Sequence, residues 1–102
     1  MWTQKEYLLG FNMLNTLENL FKLARERKNN PIDGSYTNKL LSDKILSKNK
    51  IIEEINELIE AVEKNTNKIH EAADVLYHFI IYLEASDIKI EDVMEELNKR
   101  KK

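Results

Sequence analysis

The stretch Ile69-His70-Glu71-Ala72-Ala73-Asp74-Val75-Leu76-Tyr77-His78-Phe79-Ile80-Ile81-Tyr82-Leu83 reads as a helix that is apolar almost all the way round. Glu71, Asp74 and His78 form its narrow polar strip. Such a helix belongs in the middle of a bundle, because it has no broad face suited to water. Asp74 is its costly residue. A carboxylate on an otherwise apolar helix has to be hydrogen-bonded, paired with a base or coordinated to a cation.

Upstream, residues 44–64 carry Ile45, Ile51, Ile52, Ile55, Leu58, Ile59 and Val62 at spacings that make one broad helical face. Asn65-Thr66-Asn67 separates this helix from the central one. Earlier still, Asn15-Thr16-Leu17-Glu18 has the form of a capping box, and Leu17, Leu20, Phe21 and Ala24 line a helix running to about Lys28. Asn29-Asn30-Pro31 stops it, since proline disfavours helical dihedrals in the residue before it, and Asp33-Gly34 supplies a turn. A short helix is expected from near Ser35. Downstream, Ala85-Ser86-Asp87 ends the central helix, and a last one covers residues 91–100 with Val93, Met94 and Leu97 inside.

Two glycines and one proline leave little material for hairpins, so the predicted fold class is all-α. A length of 102 residues fits one domain with a thin core, which makes pairing with a second copy an expectation. Trp2, Tyr7-Leu8-Leu9 and Phe11 offer apolar surface to cover the bundle or line a dimer seam. Sixteen basic and eighteen acidic residues leave no excess positive charge for a phosphate backbone, so no nucleic-acid partner is expected. The absence of cysteine removes disulfides, thiol nucleophiles and thiolate metal sites. No apolar run approaches the roughly 20 residues that span a bilayer, and no signal-peptide pattern opens the chain. A cytoplasmic location without a membrane partner is the expectation.

The chemical signal is Glu53-Glu54-x-x-Glu57 followed, after thirteen residues, by Glu71-x-x-Asp74. Spacings of three and four put such side chains on neighbouring parts of a helix surface. On a wheel of about 100 degrees per residue Glu54 falls at the edge of the apolar face, and Glu53 nearer the polar back. The acids have a plain reading as solvated residues paired with Lys48, Lys50 or Lys64. Two such helices side by side, however, would bring several carboxylates together, and their repulsion needs a neutralising partner. Oxygen ligands without cysteine favour magnesium or manganese over zinc. His78 is expected to be a core histidine rather than a ligand, and His70 a surface residue.

A metal-bound polyphosphate still presents negative oxygens, for which Arg25, Arg27, Lys28, Lys39 and Lys50 are candidate partners. There is no GxxxxGK or GxGxxG loop to hold phosphate through the backbone. Ser35-Tyr36-Thr37 places three hydroxyls after the turn, where an N-cap and packing role is the simpler expectation.

Several segments together carry a family resemblance: Glu26-Arg27-Lys28, Pro31, Gly34-Ser35-Tyr36-Thr37, Leu40-Leu41, Asp43-Lys44-Ile45, Lys50-Ile51-Ile52-Glu53-Glu54 with Glu57, and Glu71-Ala72-Ala73-Asp74-Val75-Leu76-Tyr77-His78. Glu91-Asp92-Val93 and Glu96-Leu97 complete it. With these segments the chain resembles the phosphoribosyl-ATP pyrophosphohydrolases of histidine biosynthesis, within the MazG-type all-helical nucleotide pyrophosphohydrolases. The Ser-Tyr-Thr segment and the Asp74-x-x-Tyr77-His78 stretch select this branch of the superfamily. The chain departs from the pattern by one missing residue between Leu41 and Glu53 and by Asn49 at a position often basic.

The resemblance implies a MazG-like bundle completed by homodimerisation, with residues 1–12 as an extension and 13–102 as the single domain. It implies hydrolysis of N1-(5-phosphoribosyl)-ATP to N1-(5-phosphoribosyl)-AMP and pyrophosphate, with Mg2+ as cofactor and Mn2+ as its alternative. The implied metal ligands are Glu54, Glu57, Glu71 and Asp74, with Glu53 as a further ligand or water-orienting base. The implied substrate contacts are Arg27, Lys28, Ser35, Tyr36, Thr37 and Lys50. A house-cleaning nucleoside triphosphate pyrophosphohydrolase and a non-catalytic helical dimerisation protein are the competing readings.

Overall fold

The computed structural model describes residues 14–101, and five helices carry them: α1 (Leu14–Asn29), α2 (Tyr36–Ser42), α3 (Lys44–Lys64), α4 (Lys68–Ala85) and α5 (Ile90–Lys99). The all-α expectation holds. Trp2, Tyr7-Leu8-Leu9, Phe11 and the expected domain boundary at residue 12 lie outside the described residues. Among the described residues no helix is long and apolar enough to cross a membrane.

Local chemistry sets the helix ends. Ser35 caps α2 by accepting a hydrogen bond from the Asn38 backbone N at 3.2 Å, directly after Gly34, whose φ of 80° is one that side-chain-bearing residues rarely adopt. Asp43 does the same for α3 through Leu46 N at 3.0 Å. Asn65 ends α3 in the left-handed region and Asn67 precedes α4 there too, so three residues reverse the chain into a helical hairpin. The expected capping box does not stand at a helix start: α1 includes Leu14, which puts Asn15 inside the helix.

Ala24 of α1, Leu40 and Leu41 of α2, and Ile80, Ile81 and Ala85 of α4 form the buried core, with Leu17, Leu20, Phe21, Leu46 and Tyr77 packed around it. The C-terminal half of α4 is therefore the central element the sequence predicts. Its N-terminal half is not, because Ile69 and Leu76 remain exposed, as does Phe79 just beyond the midpoint. On α3 the single broad face resolves into two stripes. Ser47, Ile51 and Ala61 are buried, whereas Ile45, Ile52, Ile55, Ile59 and Val62 are exposed on an adjoining arc of about 100 degrees. The expected inner residues of α5 are also more open than predicted, with Met94 and Leu97 exposed and no residue of that helix buried.

Polar ties hold α5 and the end of α4 to α1. Arg25 Nη1 and Nη2 each donate to a Glu91 carboxylate oxygen at 2.8 Å, and this fork keeps the Glu91 carboxyl down at about 2. Lys28 donates to the Glu84 carbonyl at 2.7 Å and to the Asp87 carboxylate.

Candidate active site

The α3–α4 hairpin sets two acid-bearing faces against each other. Glu54 and Glu57 lie three residues apart on α3, and Glu71 stands in the first turn of α4. One ligand atom from each of these three residues lies within 4.8 Å of the others, and the same holds for His70, Glu71 and Asp74. Glu71 belongs to both groups, so the sequence motif on each helix becomes one continuous cluster. Glu57 and Glu71 also line a depression of about 370 Å³ at the hairpin end, beside Glu60, Lys64 and Asn67.

The electrostatics of the cluster are those of crowded, partly buried carboxylates. Glu54 Oε2 and Glu71 Oε2 are buried and have no hydrogen-bond partner. A carboxylate oxygen kept from water with no donor or cation to meet it is unfavourable. Burial first, and then hydrogen bonding and repulsion from Glu57 with the charges of Asp74 and Glu71, push the Glu54 carboxyl up to about 7. Glu71 is raised as well, by burial first and then by Glu57, with His70 acting in the opposite direction. Orphaned buried oxygens among converging carboxylates fit a small hard divalent cation, which would satisfy the lone pairs and the charge together.

Glu53 stands outside both groups. It is exposed, and Lys50 Nζ donates to its Oε2 at 3.2 Å. That bond is the main reason the Lys50 ammonium holds its proton more tightly than usual. Lys50 also acts on Tyr36, whose phenol is raised by burial against the opposing pull of the ammonium.

The three hydroxyl residues are committed within the fold. Ser35 Oγ accepts from Arg27 Nη1 at 3.1 Å in addition to capping α2. Thr37 is buried and its hydroxyl bonds to that of Tyr77. Tyr36 Oη lies 3.1 Å from His78 Nε2, and His78 Nδ1 lies 2.8 Å from the Asp74 carbonyl. A carbonyl only accepts, so Nδ1 carries the proton, and in the neutral ring Nε2 accepts from Tyr36. His78 is thus buried with both nitrogens occupied, in line with its expected place in the core.

Lys28 lines a cavity of about 630 Å³ with Gly34, Ser35, Tyr36, Asn38 and Lys39, and none of the five acids lines it. Of the candidate contacts, Lys28, Ser35 and Tyr36 line this cavity and Lys50 pairs with Glu53, whereas Arg27 and Thr37 do neither and are held by Ser35 and Tyr77. His70 is the residue whose relevance the sequence reading missed. It is exposed as expected, yet its Nε2 lies 3.3 Å from Asp74 Oδ2. The available signal was its spacing of four residues from Asp74 on one helix.

Fold and site together define an all-helical bundle protein with a carboxylate centre shared between two packed helices, an architecture that suits divalent cations. The family described as Phosphoribosyl-ATP pyrophosphohydrolase matches residues 14–101. The chain belongs to that family, and it is a hydrolase. It is 47% identical over 90 residues to a phosphoribosyl-ATP pyrophosphatase of Clostridium acetobutylicum, covering 82% of this chain and 79% of that one. It is 45% identical over 93 residues to one of Bacillus cereus, covering 86% and 85%. With one from Clostridium novyi it shares 42% over 95 residues, covering 87% and 84%. No solved structure matches the chain.

Proposed function

We propose that this chain hydrolyses N1-(5-phosphoribosyl)-ATP to N1-(5-phosphoribosyl)-AMP and pyrophosphate, a step of histidine biosynthesis, at the α3–α4 acid cluster. The observation that carries the reading is the pair of buried, unpartnered oxygens on Glu54 and Glu71, in a chain whose relatives are phosphoribosyl-ATP pyrophosphatases. Glu54, Glu57, Glu71 and Asp74 would hold the cation, magnesium or alternatively manganese. When bound, it supplies neutralisation of phosphate charge and a lowered pKa for water.

The chain's own residues bind and orient. The bond between the α and β phosphates breaks, a water oxygen ends on phosphorus, and pyrophosphate leaves. Glu53, fixed through Oε2 by Lys50, keeps Oε1 to orient that water and take its proton. Lys50 and Arg27 meet negative oxygens of the substrate. Lys28, Ser35 and Tyr36 offer the adjoining cavity to the rest of the nucleotide, and Tyr36 is 46% exposed despite its bond to His78. Thr37 acts by fixing α2 on Tyr77.

A second copy of the chain completes the bundle. The support is the exposed arc of Ile52, Ile55, Ile59 and Val62 on α3, together with Leu76 and Phe79 on α4. Exposed apolar stripes of this length mark interfaces. The substrate is a small polyanion, and the reading places the reaction in the cytoplasm.

Pyrophosphate release from phosphoribosyl-ATP, compared with dUTP, dCTP and ITP, tests the reaction and the substrate together. Preference for a simple triphosphate would replace this reading with a house-cleaning one. Release from none of them, with no stabilisation by magnesium, would leave a non-catalytic helical protein.

A further inference from the structure

We propose that His70 is a nitrogen ligand at the Glu71–Asp74 edge of the acid cluster, and that its imidazole shifts the cation preference of this chain from magnesium toward manganese. The inference rests on the cluster being a divalent-cation site and adds a residue that the acid motif does not contain.

Geometry is the first support. His70 Nε2 and Asp74 Oδ2 are 3.3 Å apart. Two atoms bound to one ion at about 2.1 Å stand about 3.0 Å apart when at right angles and about 4.2 Å apart when opposite. The observed separation is that of neighbouring ligands. The atoms offered by His70, Glu71 and Asp74 all lie within 4.8 Å of one another, close to the span of ligands around one ion.

The second support is an oxygen of the group that no protein atom meets. Among protein atoms, Asp74 has the His70 imidazole as a partner, but the adjacent Glu71 Oε2 is buried with none. An isolated His70–Asp74 ion pair leaves that oxygen unsatisfied, whereas one cation shared by the three residues satisfies it. His70 lies on the exposed side of α4, so its ring turns toward such an ion without disturbing the core. His78 offers no competing nitrogen, since both of its ring nitrogens are engaged by Tyr36 and Asp74.

The chemistry then sets the direction of the preference. Magnesium favours an all-oxygen octahedron and parts with water reluctantly, while manganese and the later divalent metals accept imidazole readily. Exchanging one oxygen or water ligand for imidazole therefore favours manganese.

Pulsed electron paramagnetic resonance on the full chain loaded with Mn2+ reads this directly, because a bound imidazole nitrogen modulates the echo decay. We expect 14N modulation in the native protein, its loss in His70→Ala and His70→Gln, and a Mn2+ affinity weakened by on the order of tenfold in both. Magnesium affinity, measured by competition, should change less than manganese affinity. Bound Mn2+ with no 14N modulation would overturn the role of His70 while leaving the acid cluster as the cation site. Modulation that persists in both variants would overturn it too, by assigning the nitrogen elsewhere. Failure of the native protein to bind Mn2+ at all would overturn the acid-cluster reading, and this inference with it.

Discussion

Tyr36 and His78 meet at 3.1 Å, phenol oxygen to Nε2, and the other ring nitrogen of His78 bonds to the backbone of Asp74. One buried imidazole thus connects the hydroxyl segment at the start of α2 with the turn of α4 that carries an acid of the cluster. The rings of Tyr36 and His78 are edge to face, with centroids 5.9 Å apart, and Tyr77 packs against His78 in the same manner at 5.0 Å. This linkage positions α2 on α4 and leaves His78 without a free lone pair.

Tyr36→Phe removes one hydrogen bond and should lower unfolding stability by about 1 kcal/mol. His78→Ala removes that bond, the bond to Asp74 and buried volume, for a loss of about 2–4 kcal/mol. Urea unfolding checks both values. Neither variant should abolish Mn2+ binding in the folded protein. Loss of the metal from His78→Ala with stability unchanged would make His78 a ligand instead.

Glu53 and Glu57 should separate cleanly. Glu57 lies within reach of Glu54 and Glu71, whereas Glu53 is held by Lys50 outside the cluster. Glu57→Gln is expected to weaken magnesium binding by on the order of tenfold or more, and Glu53→Gln to leave it within about threefold while lowering turnover. Titration calorimetry with magnesium gives the comparison. Equal losses of affinity in the two variants would place Glu53 on the cation.

The metal-free protein should lose stability as pH rises toward neutrality. The Glu54 carboxyl is raised from an ordinary 4.5 to about 7, so between these values the folded state binds more protons than the unfolded chain. Its contribution is fully present below the unfolded value and is lost as pH rises through the folded one. Magnesium binds the deprotonated cluster, so its stabilising effect should grow over the same window. Melting temperatures from about pH 5 to about pH 8, with and without magnesium, read both trends. Glu54→Gln should flatten the metal-free profile. A profile identical to that of the native protein would remove Glu54 from the account.

The exposed arc of α3 should be an interface. Ile52 is 51% and Ile59 52% exposed, one near the middle of the helix and one two turns on. Ile52→Asp or Ile59→Asp places a charge where a partner must exclude water, which is expected to convert a dimer into monomers at micromolar concentration. Sedimentation velocity distinguishes the two. A native protein that sediments as a monomer would remove the interface altogether.

The run from Lys44 to Lys64 was readable as one helix with its true ends, because Asn65-Thr66-Asn67 interrupts a continuous apolar period and both asparagines adopt positive φ. Ser35 as the start of a short helix was legible for an equally local reason, a capping hydroxyl after Asp33-Gly34. The division of α3 into buried and exposed stripes was not. Periodicity records which positions avoid water without recording whether the same chain or another covers them. Adjacent acids pose the same difficulty. Glu53 and Glu54 look alike in a motif, but about 100 degrees of rotation sends one to Lys50 and the other between the helices. His70 was read correctly as exposed, and its nearness to Asp74 depended on a rotamer that spacing allows but does not dictate.

Pyrophosphate release from phosphoribosyl-ATP by the native chain and by Asp74→Ala, with magnesium present, is the most direct measurement of the central claim. The native protein should release one pyrophosphate per substrate in a magnesium-dependent reaction. Asp74→Ala should remain helical and lose turnover by about 10² or more. Undiminished turnover in that variant, or release that persists after chelation of the metal, would contradict the assignment of the reaction to the α3–α4 acids.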